Sequence, residues 1–173
     1  MATALQLTGR LDPRSAWQAT DCSIARALDV VSTRSGFLLL REAFYGATRF
    51  EEFADRAGIS EPVAAARLRE LVTHGLLERV PYREPGQRTR DGYRLTEMGQ
   101  DLLPALVALM QWGDRWLHDQ GGPIELRHRG CGARVQAELR CSEGHPTELG
   151  ELEAAVTPRG RPQPPARRRR NPS

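Results

Sequence analysis

The sequence predicts a mainly α-helical domain carrying one small β-hairpin, and three observations support this. Four successive stretches before residue 74 read as helices, the first and last with apolar residues at three-and-four spacing. Two runs of strand composition, residues 76–82 and 93–95, then flank a loop rich in turn residues. A last apolar-patterned helix starts at Thr96. Helices, a hairpin and a closing helix make up the element order of a winged helix-turn-helix, with a short ribbon-like β-hairpin expected as a C-terminal extension.

Residues 1–20 are weakly patterned and read as a flexible arm. From Asp21, an N-cap candidate, a helix carries Ile24, Ala27, Leu28 and Val31. Cys22 falls in its first turn, where the positive helix end favours a thiolate. That makes Cys22 a candidate redox sensor, against the alternative of an inert packing residue. The run Phe37-Leu38-Leu39-Leu40 is too apolar to face water, so the second helix, 34–45, is core and Gly46 ends it. A third helix, 49–56, turns Phe50 and Phe53 inward, with Arg49 at its start as a candidate phosphate contact. Gly58 opens the turn into the next helix.

Residues 58–96 organise the rest. Ser60 stands where an N-cap belongs, with Glu61 and Pro62 in the first turn of a helix over 60–73. Ala64, Leu68, Leu71 and Val72 share the buried face. The opposite face carries Pro62, Val63, Ala66, Glu70 and Thr73, flanked by Arg67 and Arg69. So small a surface beside guanidinium groups suits a major groove, where methyls meet thymine and arginine reaches guanine. The alternative is a solvated helix whose arginines pair only with Glu61 or Glu70. Ser60, Pro62, Val63, Ala66, Arg67 and Arg69 are the candidate groove residues. His74-Gly75 ends the helix, and the loop beyond the first strand carries Pro85-Gly86 and Asp91-Gly92 turn pairs. Arg83, Arg88, Arg90 and Arg94 on that hairpin are candidate phosphate contacts.

The closing helix, predicted to reach about His118, is apolar over more of its circumference than one core contact needs. One side serves its own domain and the other a second subunit, with Leu106, Met110, Trp112 and Trp116 as interface candidates for a homodimer. After Gly121-Gly122-Pro123, residues 124–128 and 135–139 alternate like two short strands. His128, Cys131, Cys141 and His145 around them would close a tetrahedral zinc site; a degenerate hairpin without metal is the alternative. Residues 157–173 are rich in Pro and Arg and cannot bury a core. Four segments result: a flexible arm at 1–20, the winged-helix and dimerisation domain at 21–119, the extension at 120–156 and a disordered tail at 157–173.

Five fragments in order resemble the HxlR-type winged-helix transcriptional regulators of bacteria: CSIARALDVV, FLLLREAFYGATRFEEF, GIS with RLRELVTHGLLERVPY, YRLTEMGQDLLPAL and ALMQWGDRW. The resemblance implies a homodimeric DNA-binding regulator without enzymatic activity, in which a cysteine near the N-terminus senses oxidants or electrophiles in some members. It also implies a C-terminal ribbon with a second Cys-x-x-Cys knuckle. Two motifs depart from the pattern. Ser32-Thr33-Arg34-Ser35 lacks the tryptophan that usually enters the second helix, and Cys22-Ser23 replaces the usual Cys-Pro pair.

Charge distribution refines the reading. The net charge is +3, yet six of the 25 basic residues lie in the last seventeen positions, which hold no acid. Residues 1–156 therefore carry 19 basic against 22 acidic groups, a formal −3. DNA binding must rest on a local arginine patch, while the Arg167–Arg170 run adds non-specific affinity. No run of eighteen apolar residues predicts a membrane span, and three cysteines without a signal segment predict a cytoplasmic, nucleoid-associated protein. The expected partners are double-stranded DNA, a second copy of the chain, and a small-molecule or oxidant effector; no cofactor is expected unless zinc binds. Two alternatives belong to other classes. One is a protein-interaction module on the same scaffold; the other is a zinc hydrolase, against which no Ser/His/Asp or His-Glu-x-x-His arrangement occurs.

Overall fold

The computed structural model describes residues 4–16, 22–31, 33–83, 85–86 and 88–156. The Asp21 cap, Ser32, two loop positions (Glu84 and Gln87), the rest of the arm and the tail from 157 lie outside them. The chain divides into two compact units. One runs from Ile24 to Ala137; the other joins the N-terminal segment to residues from Glu138 onward.

In the larger unit, α1 (Ser23–Val31), α2 (Arg34–Phe44), α3 (Phe50–Ala57) and α4 (Glu61–Thr73) come first. The apolar run in α2 supplies the centre of the core, where Leu39 and Leu40 are buried with Val31, Phe53, Leu68, Leu71, Leu76 and Leu77. Thr33 sets the start of α2 by accepting the Gly36 amide proton at 3.0 Å. Between α3 and α4 the chain reverses at Gly58, whose φ of 62° is one that side chains with a Cβ rarely adopt. This reversal makes the helix-turn-helix.

A carboxylate fixes the start of α3. Glu52 accepts the backbone N–H groups of Thr48 and Arg49 at 2.9 and 3.0 Å, and these bonds hold its carboxyl below the usual value. A lowered folded pKa stabilises the fold above the unfolded value, and that contribution is lost as pH falls through the folded one. Glu52→Ala is therefore expected to cost about 1 kcal/mol near neutrality. Urea titrations should show the difference from wild type closing as pH falls through and below the ordinary carboxylate range.

The hairpin consists of β2 (Leu77–Tyr82) and β3 (Arg90–Leu95), antiparallel, with Leu77 opposite Leu95 and Tyr82 opposite Arg90. Gly75, at φ 76°, turns the chain out of α4 into β2. Thr48 adds an edge contact that the sequence did not announce: its carbonyl accepts the Tyr93 amide proton at 2.8 Å. A Cβ on the neighbouring Gly92 would come within 2.9 Å of that oxygen, so the close approach requires glycine. Phe53 meets Tyr93 edge to face at 5.7 Å, tying the helix-turn-helix to the hairpin. Burial of Tyr93 raises its hydroxyl above the ordinary value.

The predicted closing helix is two helices, α5 (Glu97–Gln100) and α6 (Leu103–Trp116). Pro104 explains the break. It has no N–H to donate, and in a continuous helix its ring would strike the carbonyl of Gln100. Before the break, Thr96 accepts the Gly99 amide proton at 3.1 Å and donates to the Gly75 carbonyl at 2.5 Å. On α6, Leu106 and Val107 are buried, whereas Leu109, Trp112 and Trp116 are more than half exposed.

The extension beyond α6 holds less β-structure than its alternation predicts. Arg127 and Arg134 form an isolated antiparallel bridge, as do Arg140 and Pro146. Part of the reason is that residues 135–137 spend backbone groups on a side chain. Gln111 of α6 donates to the Val135 carbonyl at 2.7 Å and accepts the Ala137 amide proton at 2.9 Å. In the smaller unit, β1 (Gln6–Leu7) pairs in parallel with β4 (Glu153–Ala154). Part of the segment read as a flexible arm is thus hydrogen-bonded, with Gln6 and Thr8 donating to the carbonyls of Leu152 and Ala154.

Candidate nucleic-acid interface

Burial fixes the rotation of α4. Ala64, Leu68 and Leu71 are 0–2 % exposed, so the arc opposite them faces outward. Pro62, Val63, Arg69, Glu70 and Thr73 are exposed on that arc, and Ala66 is half-buried at its middle. Ser60 caps the helix by position, although its side chain makes no capping hydrogen bond. The outward surface is low, as the sequence predicts, and both its arginines are engaged. Arg67 is paired with Glu70 one turn along, and Arg69 donates Nε to the Ala65 carbonyl at 3.1 Å.

The hairpin arginines show the same habit. Arg90 lies 3.3 Å from Glu51, which brings the start of α3 against the end of the hairpin. Arg94 meets Glu78 across the two strands at 2.8 Å, and Arg79 approaches Asp91 at 3.7 Å. Arg49 places its guanidinium 5.3 Å from the centre of the Tyr82 ring. Arg83 and Arg88 are exposed on the loop side of the strands. The arginines gather on one helix and one hairpin, and several of them carry an acidic partner. Glu51 and Glu78 were not legible as partners because they lie 39 and 16 residues from the arginines they meet.

The other candidate residues occupy separate places. Cys22 is half-buried immediately before α1 and carries no disulfide. Leu106 and Met110 line a groove of about 290 Å³ with Phe37 and Leu38 of α2, while Trp112 and Trp116 stand out from α6. His128 lies 3.3 Å from Cys131 in the larger unit; Cys141 and His145 belong to the smaller one, joined by a backbone bond of 3.0 Å. Among the described residues no three His, Cys, Asp or Glu side chains gather as a metal-holding group. No helix among them is long and apolar enough to cross a membrane.

A helix-turn-helix packed on an antiparallel hairpin defines a winged helix-turn-helix, the fold of a class of transcriptional regulators. Residues 30–121 match the HxlR-like helix-turn-helix family, and the chain belongs to it. It is similar to an HTH-type transcriptional regulator of Mycobacterium bovis, 48% identical over 121 residues that cover 69% of this chain and 75% of the relative. An HTH-type transcriptional regulator of Synechocystis is 34% identical over 106 residues, 61% of this chain and 77% of the relative. The crystal structure of PA1607, a candidate transcription factor, superposes with a TM-score of 0.67 at 36% identity, covering 75% of this chain and 91% of that one. A second candidate transcription factor, PA1374 from Pseudomonas aeruginosa, gives 0.58 at 32% identity over 81% of this chain and 95% of that one.

Proposed function

We propose that the protein is a sequence-specific DNA-binding transcriptional regulator that acts as a homodimer on an inverted repeat. The observation that carries this reading is the outward face of α4, held in place by its buried stripe and low enough to enter a major groove. Val63 and Ala66 offer methyl groups to thymine, and Arg67 and Arg69 offer donors to guanine. The hairpin arginines, with Arg49 beside them, take phosphates on the flank. The exposed stripe of Leu109, Trp112 and Trp116 supports a second copy, whose two-fold symmetry sets two recognition helices about one DNA turn apart.

The test is fluorescence anisotropy of the full chain against its own upstream intergenic duplex and a scrambled control, at several salt concentrations. Arg69→Ala is expected to cost about 1–3 kcal/mol on the cognate duplex and to relax sequence preference. Arg88→Ala is expected to weaken both duplexes alike and to lower the salt slope by about 1. Equal binding of both duplexes by wild type, abolished by removing residues 157–173, would defeat the specific reading for that DNA. The same titration after diamide, with Cys22→Ser alongside, decides whether an oxidant is the effector.

A further inference from the structure

Glu70 is the acid exposed on the outward arc of α4, beside Ala66 and Thr73, and its placement there needs a reason. The inference rests on the DNA-binding reading above. A carboxylate carried into a groove walled by phosphates is repelled unless a base donates a hydrogen to it. An ionised carboxylate only accepts, and in the major groove the donors are the amino groups of cytosine and adenine. The pairing on α4 decides between them. Arg67 Nη1 touches Glu70 Oε2, so a donor-only group and an acceptor-only group meet side by side. About half of the Glu70 side chain and a third of that of Arg67 remain exposed, so the pair is within reach of a partner.

The guanidinium has five N–H donors, and one contact with Glu70 leaves others pointing away. Side by side, the two residues present donor, donor, acceptor. A G·C pair presents the complement across its major-groove edge: guanine N7 and O6 accept, and cytosine N4 donates. An A·T pair puts the thymine O4 acceptor or the adenine N7 acceptor where one of these groups needs its opposite. We infer that Arg67 and Glu70 act as one reading unit for a single G·C pair in each half-site, with Glu70 as a specificity-determining residue. Arg67 donates to guanine N7 and O6 while Glu70 accepts from cytosine N4 and steadies the guanidinium plane.

The experiment selects bound duplexes from a randomised library with the full-length wild-type chain, Glu70→Gln and Glu70→Ala, followed by competition between single-pair variants of the wild-type motif. Wild type should fix one G·C pair per half-site and discriminate against A·T there by roughly 5- to 150-fold. Both variants should lose most of that preference while other positions keep theirs. Glu70→Gln should then admit A·T, because an amide can pair with adenine N6 and N7. Because Glu70 is exposed, both variants should melt like wild type, which separates lost reading from lost folding. A motif that persists unchanged in both variants overturns the assignment of Glu70 alone. A wild-type pool that enriches no motif overturns the DNA-binding reading and the assignment with it.

Discussion

Replacing Phe53 with alanine is expected to cost about 3–5 kcal/mol, a large share of the 5–15 kcal/mol that holds a domain of this kind together. Phe53 is fully buried in the cluster shared by α2, α3, α4 and the root of the hairpin, so its loss leaves a cavity bounded by four elements. It also removes the edge-to-face contact with Tyr93, worth about 0.5–1.5 kcal/mol beyond the area buried. Urea denaturation measures the total, and a double-mutant cycle of Phe53→Leu with Tyr93→Leu isolates the ring contact. Under the proposed function, the same variant should also show a reduced contribution of the hairpin arginines to DNA binding, because Phe53 touches the Tyr93 ring of the hairpin. A cost below about 1 kcal/mol would mean that the hairpin does not lean on the helix-turn-helix through this ring.

The second large effect is expected from Gly99→Ala, at about 3 kcal/mol or more. The backbone of Gly99 is ordinary, so the constraint is space rather than conformation. An added Cβ would lie 2.2 Å from the Leu76 carbonyl oxygen and 3.1 Å from both its carbon and a methyl of Leu95. Those neighbours are backbone and packed core and cannot swing aside as a flexible side chain would. Moving α5 away would also break the Thr96 bonds to Gly99 and to the Gly75 carbonyl, which join the hairpin's end to its beginning. Thermal unfolding is expected about 10 °C lower for a chain of this size. Gly99→Ser should behave alike, since its Cβ meets the same atoms. An unchanged melting temperature in both would show that α5 can shift freely.

Much of this fold was legible because its determinants are local. The Phe37–Leu40 run, the spacing of Leu68 and Leu71, and Gly58 and Gly75 at the reversals locate helices and turn within one or two residues. By contrast, β3 starts at Arg90, three residues before the expected 93, because Asp91 and Gly92 pair with Pro81 and Val80 instead of turning the chain. Pro104 was equally visible, yet the apolar pattern continues through it and masks the break between α5 and α6. Other features had no local signal. Thr48 joins the sheet through a single carbonyl, Gln111 captures a strand-like segment through one amide, and β1 meets β4 across nearly the whole chain. Two-residue strands carry no periodicity to detect. For the candidate site, the sequence indicated which arginines cluster but not their partners, since Glu51 and Glu78 reach them only through tertiary contacts.

Those partners bear on how such a protein would find its target. Arg67, Arg90 and Arg94 would reach DNA with a carboxylate already in hand. A tethered acid competes with phosphate at an effective concentration fixed by the fold, not by the buffer. Each exposed pair is worth about 0.2–1 kcal/mol, a small discount that applies on every stretch of duplex the protein samples. For Arg67 and Glu70 a base pair that satisfies both members offsets it, whereas the pairs of Arg90 and Arg94, whose arginines face phosphate, weaken binding alike on every sequence. Glu70 would thus shorten the dwell time on arbitrary DNA while leaving its own share of the hold on a matched operator intact, which speeds a search through a genome of competing sites.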